Sequence, residues 1–184
     1  MTSNFNKGDN VYLDTGFLVA YSLPYTQGGK YTTTAKKLMA EMIINKCHLM
    51  VSTLSFDELW RAVKDEKDAL RKEQSVKRKI NKVIKKIGRF TVSGYSYTDI
   101  MSDLKLSTES LLKLPLKFLN FSDASKGILE SLKLLETHIT SKPRDSFHAS
   151  LAKEHKVTVF IGRDVRFLKG ISKLGIKPID ISTL

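Results

Sequence analysis

Apolar residues fall into two kinds of pattern along the chain. Short runs come first: residues 11–13 (VYL), 49–51 (LMV) and 157–161 (VTVFI). Each reads as a buried strand, and 157–161 is continuous enough to suggest cover on both faces. Residues 176–181 read as a last strand that closes the chain. Between them apolar positions recur at helical spacing. Ala35, Leu38, Met39, Met42 and Ile43 make one such stripe, with Thr32 to Thr34 able to cap it. Ser55 opens the next helix, which carries Leu59, Trp60 and Val63. Residues 64–73 are nearly all charged, after which Val76, Ile80, Val83, Ile84 and Ile87 form an amphipathic stripe stopped at Gly88. Residues 90–93 read as extended or turn-like, 99–112 as a helix, and 114–120 as an apolar loop around Pro115. A further helix is expected over 124–138 with Ile128, Leu132 and Leu135 on one face. Another begins at Pro143, because proline suits a first helical turn, and runs to about His155. Strands alternating with helices predict an α/β fold with a largely parallel sheet. The pattern predicts one domain over 1–184, with an enlarged helical region at about 61–140.

Composition narrows the class. At 184 residues and 41% apolar, the chain can bury a core, which excludes general disorder. A single cysteine, Cys47, excludes an intramolecular disulfide framework, and four histidines beside it leave little for a structural zinc site. No apolar run reaches the roughly 18 residues of a membrane span, and residues 1–10 are polar without the apolar core of a secretory signal. The expectation is a cytoplasmic protein with no membrane partner. Thirty-one Lys and Arg against nineteen Asp and Glu give a net charge of +12. Such an excess suits a polyanionic partner, nucleic acid first.

Four acids stand where an open α/β sheet places its ligands, at the carboxyl ends of strands. Asp14 ends the first strand, Glu58 lies early in the helix after the second, Asp145 lies in the first turn of the helix beginning at Pro143, and Asp164 follows 157–161. Crowded carboxylates repel one another and call for a cation. An oxygen-only donor set points to Mg²⁺ or Mn²⁺. An acidic metal centre in a basic protein suits phosphodiester hydrolysis, where the ion supplies hydroxide and stabilises the leaving oxygen. Each acid also has an ordinary reading. Asp14 fits a turn, Glu58 fits an S-x-x-E capping box with Ser55, Asp145 complements a helix dipole, and Asp164 fits a loop or an N-cap. Asp57 points about 100° away from Glu58 around the helix. His148, three residues after Asp145, reads as a packed or surface histidine more readily than as a site residue. No phosphate-binding glycine loop is present: Gly28-Gly29 lacks the lysine and hydroxyl that would follow it.

Taken in order, four segments resemble the motifs of PIN-domain ribonucleases: 11–18 (VYLDTGFL), 51–59 (VSTLSFDEL), 144–152 (RDSFHASLA) and 161–167 (IGRDVRF). The resemblance implies a three-layer α/β/α fold around a mostly parallel sheet of about five strands. It implies Asp14, Glu58, Asp145 and Asp164 as catalytic and metal-binding acids, and Thr15 as the residue orienting Asp14. It also implies Mg²⁺- or Mn²⁺-dependent cleavage of single-stranded RNA. Small members resemble toxins of the VapBC type, which implies a homodimer and a small antitoxin partner. Two positions depart from the family pattern. Gly162 stands where a hydroxyl residue is frequent, and Gly16 where Asn is frequent. Gly162 favours a rival reading, an RNA-binding module on the same fold without cleavage; an RNA-processing nuclease outside toxin–antitoxin biology is a third. The segment 61–89 holds twelve Lys or Arg against four Asp or Glu. Lys77, Arg78, Lys79, Lys82, Lys85 and Lys86 are its candidates for tracking RNA phosphates toward the acids.

Overall fold

The computed structural model describes residues 3–23, 29–80 and 94–184. The first strand, β1 (Asn10–Leu13), leads into α1 (Thr15–Ser22) and α2 (Gly29–Ile44). Next come β2 (His48–Ser52) and the long α3 (Thr53–Ile80). A 3-10 turn (Thr98–Ile100) leads into α4 (Met101–Leu112), and β3 (Leu116–Leu119) follows. Then α5 (Ala124–Glu136), α6 (Pro143–Glu154), β4 (Val159–Gly162), α7 (Val165–Ser172) and β5 (Lys177–Asp180) complete the described chain. All pairings in the five-stranded sheet are parallel, in the order β3-β2-β1-β4-β5.

Alternation along the central strands sorts the side chains into two layers. Val11 and Leu13 of β1 join Leu49, Val51, Val159 and Ile161 in a core closed by α1, α2, α3 and α4. Tyr12, Met50 and Phe160 point the other way, against Leu134 of α5, Ala149 and Leu151 of α6, and Phe167 and Ile171 of α7. Tyr12 is in register with Met50 on one side and Phe160 on the other. The result is the expected three-layer α/β/α arrangement. β1 is the strand from which the chain winds first toward β2 and β3 and then toward β4 and β5. Its carboxyl end, with that of β4, therefore opens into the crevice such sheets use for ligands.

Several local expectations are corrected. Residues 116–119 form an edge strand on β2, not a loop; exposed Lys117 and Phe118 weaken its alternation, as an edge position permits. Helix α2 begins at Gly29, so Thr32 to Thr34 lie within it, and Ile43 is 53% exposed. Helix α3 begins before Ser55. The Ser52 hydroxyl accepts from the Ser55 backbone N–H at 3.2 Å and serves as the cap. On α5 the buried face is Gly127, Ser131 and Leu134, while Ile128 and Leu132 are exposed. Close approach decides this. Phe121 packs over Gly127, where a Cβ would meet its ring at 2.4 Å. The Ser131 and Ser150 hydroxyls both donate to the Gly127 carbonyl, at 2.8 and 3.4 Å. Small residues thus draw α5 onto α6 more closely than the larger apolar side chains would allow.

Candidate active site

Asp14 stands between β1 and α1. Its backbone N–H donates to the Ile161 carbonyl at 3.0 Å, which ties β1 to β4 at this level. Its carbonyl accepts the first helical N–H groups of α1, from Phe17 and Leu18. The side chain makes no cap bond, so the carboxylate is left to face the crevice. Gly162 of β4 lies directly beneath it: a Cβ there would come 3.0 Å from Asp14 Oδ2. The position where the family pattern often has a hydroxyl residue is one that Asp14 itself covers.

Glu58 lies in the second turn of α3, out of reach of the cap role. Its Oε2 accepts from the Thr15 hydroxyl at 2.5 Å and lies 3.3 Å from His148 Nε2. Its Oε1 is 3.5 Å from Arg144 Nη1. Thr15, expected to orient Asp14, bonds the Asp14 carboxylate through its backbone N–H, and its hydroxyl holds Glu58 as well. The neighbouring Asp57 faces outward and pairs with Arg61 at 3.2 Å. Asp145 and His148 are one turn apart on α6, so both face the crevice. His148 is only 2% exposed and its Nδ1 lies 2.6 Å from the Tyr12 hydroxyl. One donor atom from each of Asp14, Glu58 and His148 lies within 4.8 Å of the others. Asp145 is near enough to affect the ionisation of Asp14 and His148 and stands beside this trio, half-buried.

Asp164 is placed differently. It caps α7, its Oδ1 accepting from the N–H groups of Arg166 and Phe167 at 3.0 and 3.2 Å. Its Oδ2 pairs with Lys142 at 2.9 Å. It lines the rim of an open cleft of about 650 Å³, together with Asp14, Gly16, Lys142, Arg163 and Arg166. Of the basic candidates, Lys77, Arg78 and Lys79 belong to the backbone of α3, and Lys82, Lys85 and Lys86 lie outside the described residues.

The electrostatics follow from these places. Burial pushes Asp14 up to about 6, with the Glu58 charge adding to the rise and His148 opposing it. Burial also raises Asp145, partly countered by Lys142. Glu58 is resisted by burial too, but the bonds from His148 and Thr15 hold it below the usual range. His148 is disfavoured as a cation by burial, yet Glu58 and the nearby Asp14 raise it overall. Lys142 holds Asp164 low. A divalent ion suits this donor set. Carboxylates and an imidazole converge on one point, and a cation there would relieve the cost of keeping Asp14 charged.

Sequence reasoning missed His148 and Tyr12 as members of the site. The signal for His148 was its i,i+3 spacing from Asp145 on one helix. The signal for Tyr12 was strand alternation, which turns its ring toward α6 while its neighbour Asp14 ends the strand.

The PIN domain family model matches residues 11–171, which contain all four acids. The chain belongs to the PIN domain family. PIN domains are generally metal-dependent nucleases, and the five-stranded parallel sheet is the fold expected of one. Similar folds occur in FitAB bound to an IR36 DNA fragment and in FitAcB from Neisseria gonorrhoeae. FitAB has 12% identity and a TM-score of 0.53, with 95% of this chain and 96% of that chain covered. FitAcB has 14% identity and a TM-score of 0.54, with 95% and 99% covered. At such identities the likeness is one of fold. None of the curated proteins matches this PIN domain in sequence. Among the described residues no helix is long and apolar enough to cross a membrane.

Proposed function

We propose that this PIN domain is a Mg²⁺- or Mn²⁺-dependent endoribonuclease, the toxin of a toxin–antitoxin pair acting in the cytoplasm. The observation that carries the reading is the convergence of Asp14 and Glu58 at the carboxyl ends of β1 and β2, in a crevice rimmed by cations. Asp14 and Glu58 would hold the ion, with Asp145 on the same side of the crevice. A bound divalent ion there supplies charge neutralisation on the scissile phosphate and a lowered pKa for an attacking water.

The chain's own residues do the rest. Thr15 fixes the Glu58 carboxylate through its 2.5 Å bond. Arg144, 3.5 Å from Glu58, sits where it can also meet a phosphate oxygen. Lys142, Arg163 and Arg166 line the cleft and supply positive charge along the path of a strand. Asp164 anchors the start of α7 and holds Lys142 in place. The toxin part of the reading rests on the resemblance of the motifs to VapBC-type toxins and on the likeness in fold to FitAB and FitAcB. A homodimer and an antitoxin need apolar surface. Ile128, Leu129 and Leu132 on α5 offer some, at 48%, 65% and 51% exposure.

A second reading is an RNA-binding module without cleavage. The ion pairs Lys142–Asp164 and Arg144–Glu58 favour it, because cations of the chain already sit on two of the acids. One experiment separates the two. A mixed single-stranded RNA pool is incubated with the protein in Mn²⁺, Mg²⁺ or EDTA, and the ends of any fragments are analysed. The nuclease reading expects metal-dependent fragments with 5′-phosphate and 3′-hydroxyl ends. Binding without fragments in either metal supports the second reading.

A further inference from the structure

The imidazole of His148 is enclosed, at 2% exposure, and spans two partners of unequal quality. At Nδ1 the Tyr12 hydroxyl is close, at 2.6 Å. At Nε2 the Glu58 carboxylate is 3.3 Å away, longer than the roughly 2.7–2.9 Å of a committed charge-assisted bond. Thr15 donates to the same Glu58 oxygen at 2.5 Å, so the carboxylate keeps one close donor when the imidazole turns to an ion. The loosely held nitrogen is the one that lies with the Asp14 and Glu58 oxygens in the 4.8 Å cluster.

We propose that His148 Nε2 is a ligand of the divalent ion held by Asp14 and Glu58, that Tyr12 fixes the ring for that role, and that the site consequently prefers Mn²⁺ to Mg²⁺. The inference rests on the metal-site reading above. A histidine that binds through Nε2 must carry its proton on Nδ1 and donate it to an oxygen. Tyr12 supplies that oxygen. Its hydroxyl both donates and accepts, so it takes the Nδ1 proton while turning its own toward Ser52 or Ser55, both hydrogen-bonding neighbours of the phenol. Tyr12 is held in turn by stacking on Phe160 at 4.8 Å, deep in the sheet. The phenol and the ring it orients are therefore built into the core. Mg²⁺ favours oxygen ligands and sheds water reluctantly, whereas a nitrogen donor favours later first-row ions. One imidazole in place of an oxygen ligand shifts the balance toward Mn²⁺.

Pulsed electron paramagnetic resonance on the full chain, stripped with EDTA and loaded with Mn²⁺, reads the ligand directly. The expected result is ¹⁴N modulation from one imidazole in the wild type. Labelling histidine with ¹⁵N removes that modulation, and Asp14→Asn loses the bound Mn²⁺. In His148→Gln the modulation disappears, Mn²⁺ binds about 10-fold more weakly or worse, and its preference over competing Mg²⁺ shrinks. Tyr12→Phe keeps the modulation while weakening Mn²⁺ binding. The labelling comparison needs no variant, so a misfolded His148→Gln would leave the test intact. Mn²⁺ bound through Asp14 without ¹⁴N modulation would overturn the proposal and leave the metal site standing. Absence of Mn²⁺ binding would overturn both.

Discussion

The floor and the rim of one cleft hold carboxylates in opposite conditions. On the floor, Asp14 caps nothing with its side chain, lies over Gly162, and shares its space with Glu58, so burial and like charge push it up to about 6. On the rim, Asp164 caps α7 with one oxygen and pairs with Lys142 through the other, and is held low. The rim acid is satisfied by its own chain and contributes to the fold. The floor acid is left in a setting that an incoming cation would improve. Residues of the same type, following strands that are neighbours in the sheet, are separated by function through their partners.

The contrast can be broken first at Asp14. The unfolded chain ionises this group near the ordinary value of 3.8, and the folded protein near 6. Between those values the folded state holds a proton that the unfolded state has released, so metal-free stability falls as pH rises through this window. Asp14→Asn should therefore stabilise the metal-free protein at neutral pH by up to about 3 kcal/mol, at about 1.4 kcal/mol per pH unit. It should also flatten the stability profile between pH 4 and 6, as urea denaturation across that range would read. A variant no more stable than wild type at pH 7 would mean that Asp14 carries no such strain.

The rim should respond with the opposite sign and less strongly. Asp164→Ala removes the α7 cap and should cost about 1 kcal/mol in the same denaturation assay. The lowered Asp164 contributes stability above its unfolded pKa, and that contribution is lost as pH falls through the folded value. A third comparison sets the rim cations against α3. Arg163→Gln with Arg166→Gln should reduce the slope of log affinity for RNA against log salt by about 1 for each phosphate contact removed. Changing Lys77, Arg78 and Lys79 to Gln should leave the slope closer to wild type if the cleft is the path of the strand. The reverse ranking would return the strand to the basic helix. The smallest effect is expected at Gly162. A methyl there would crowd Asp14 Oδ2 at 3.0 Å, so Gly162→Ala should weaken Mn²⁺ binding several-fold without unfolding the protein, and unchanged binding would show that Asp14 yields easily.

Much of the architecture is legible in the sequence because burial writes itself in periodicity. Residues 11–13, 49–51 and 157–161 are apolar on both faces, and they became the central strands β1, β2 and β4. β3 was not legible. An edge strand is covered less completely, and its Lys117 and Phe118 carry no strong period. The face of α5 misled for a different reason: Gly127 and Ser131 are buried by close backbone approach, which hydropathy does not register. At the site, strand ends located Asp14 and Asp164, but the sequence could not tell a carboxylate turned to the crevice from a capping one. Glu58 lost its cap reading only because α3 starts at Thr53, two residues earlier than Ser55 suggested. His148 and Tyr12 joined the site through a contact between α6 and β1, 136 positions apart in the chain. No local pattern encodes such a contact.

The most direct test of the floor and the rim is single-stranded RNA cleavage in Mn²⁺ by wild type, Asp14→Asn and Asp164→Asn, measured side by side. The account predicts cutting by wild type that EDTA abolishes. It predicts a loss of more than about 100-fold in Asp14→Asn, beyond the cost of losing an outer-sphere partner, and a loss under about 10-fold in Asp164→Asn, which keeps a side chain able to cap α7. Equal losses in the two variants, or cutting that survives in Asp14→Asn, would contradict it.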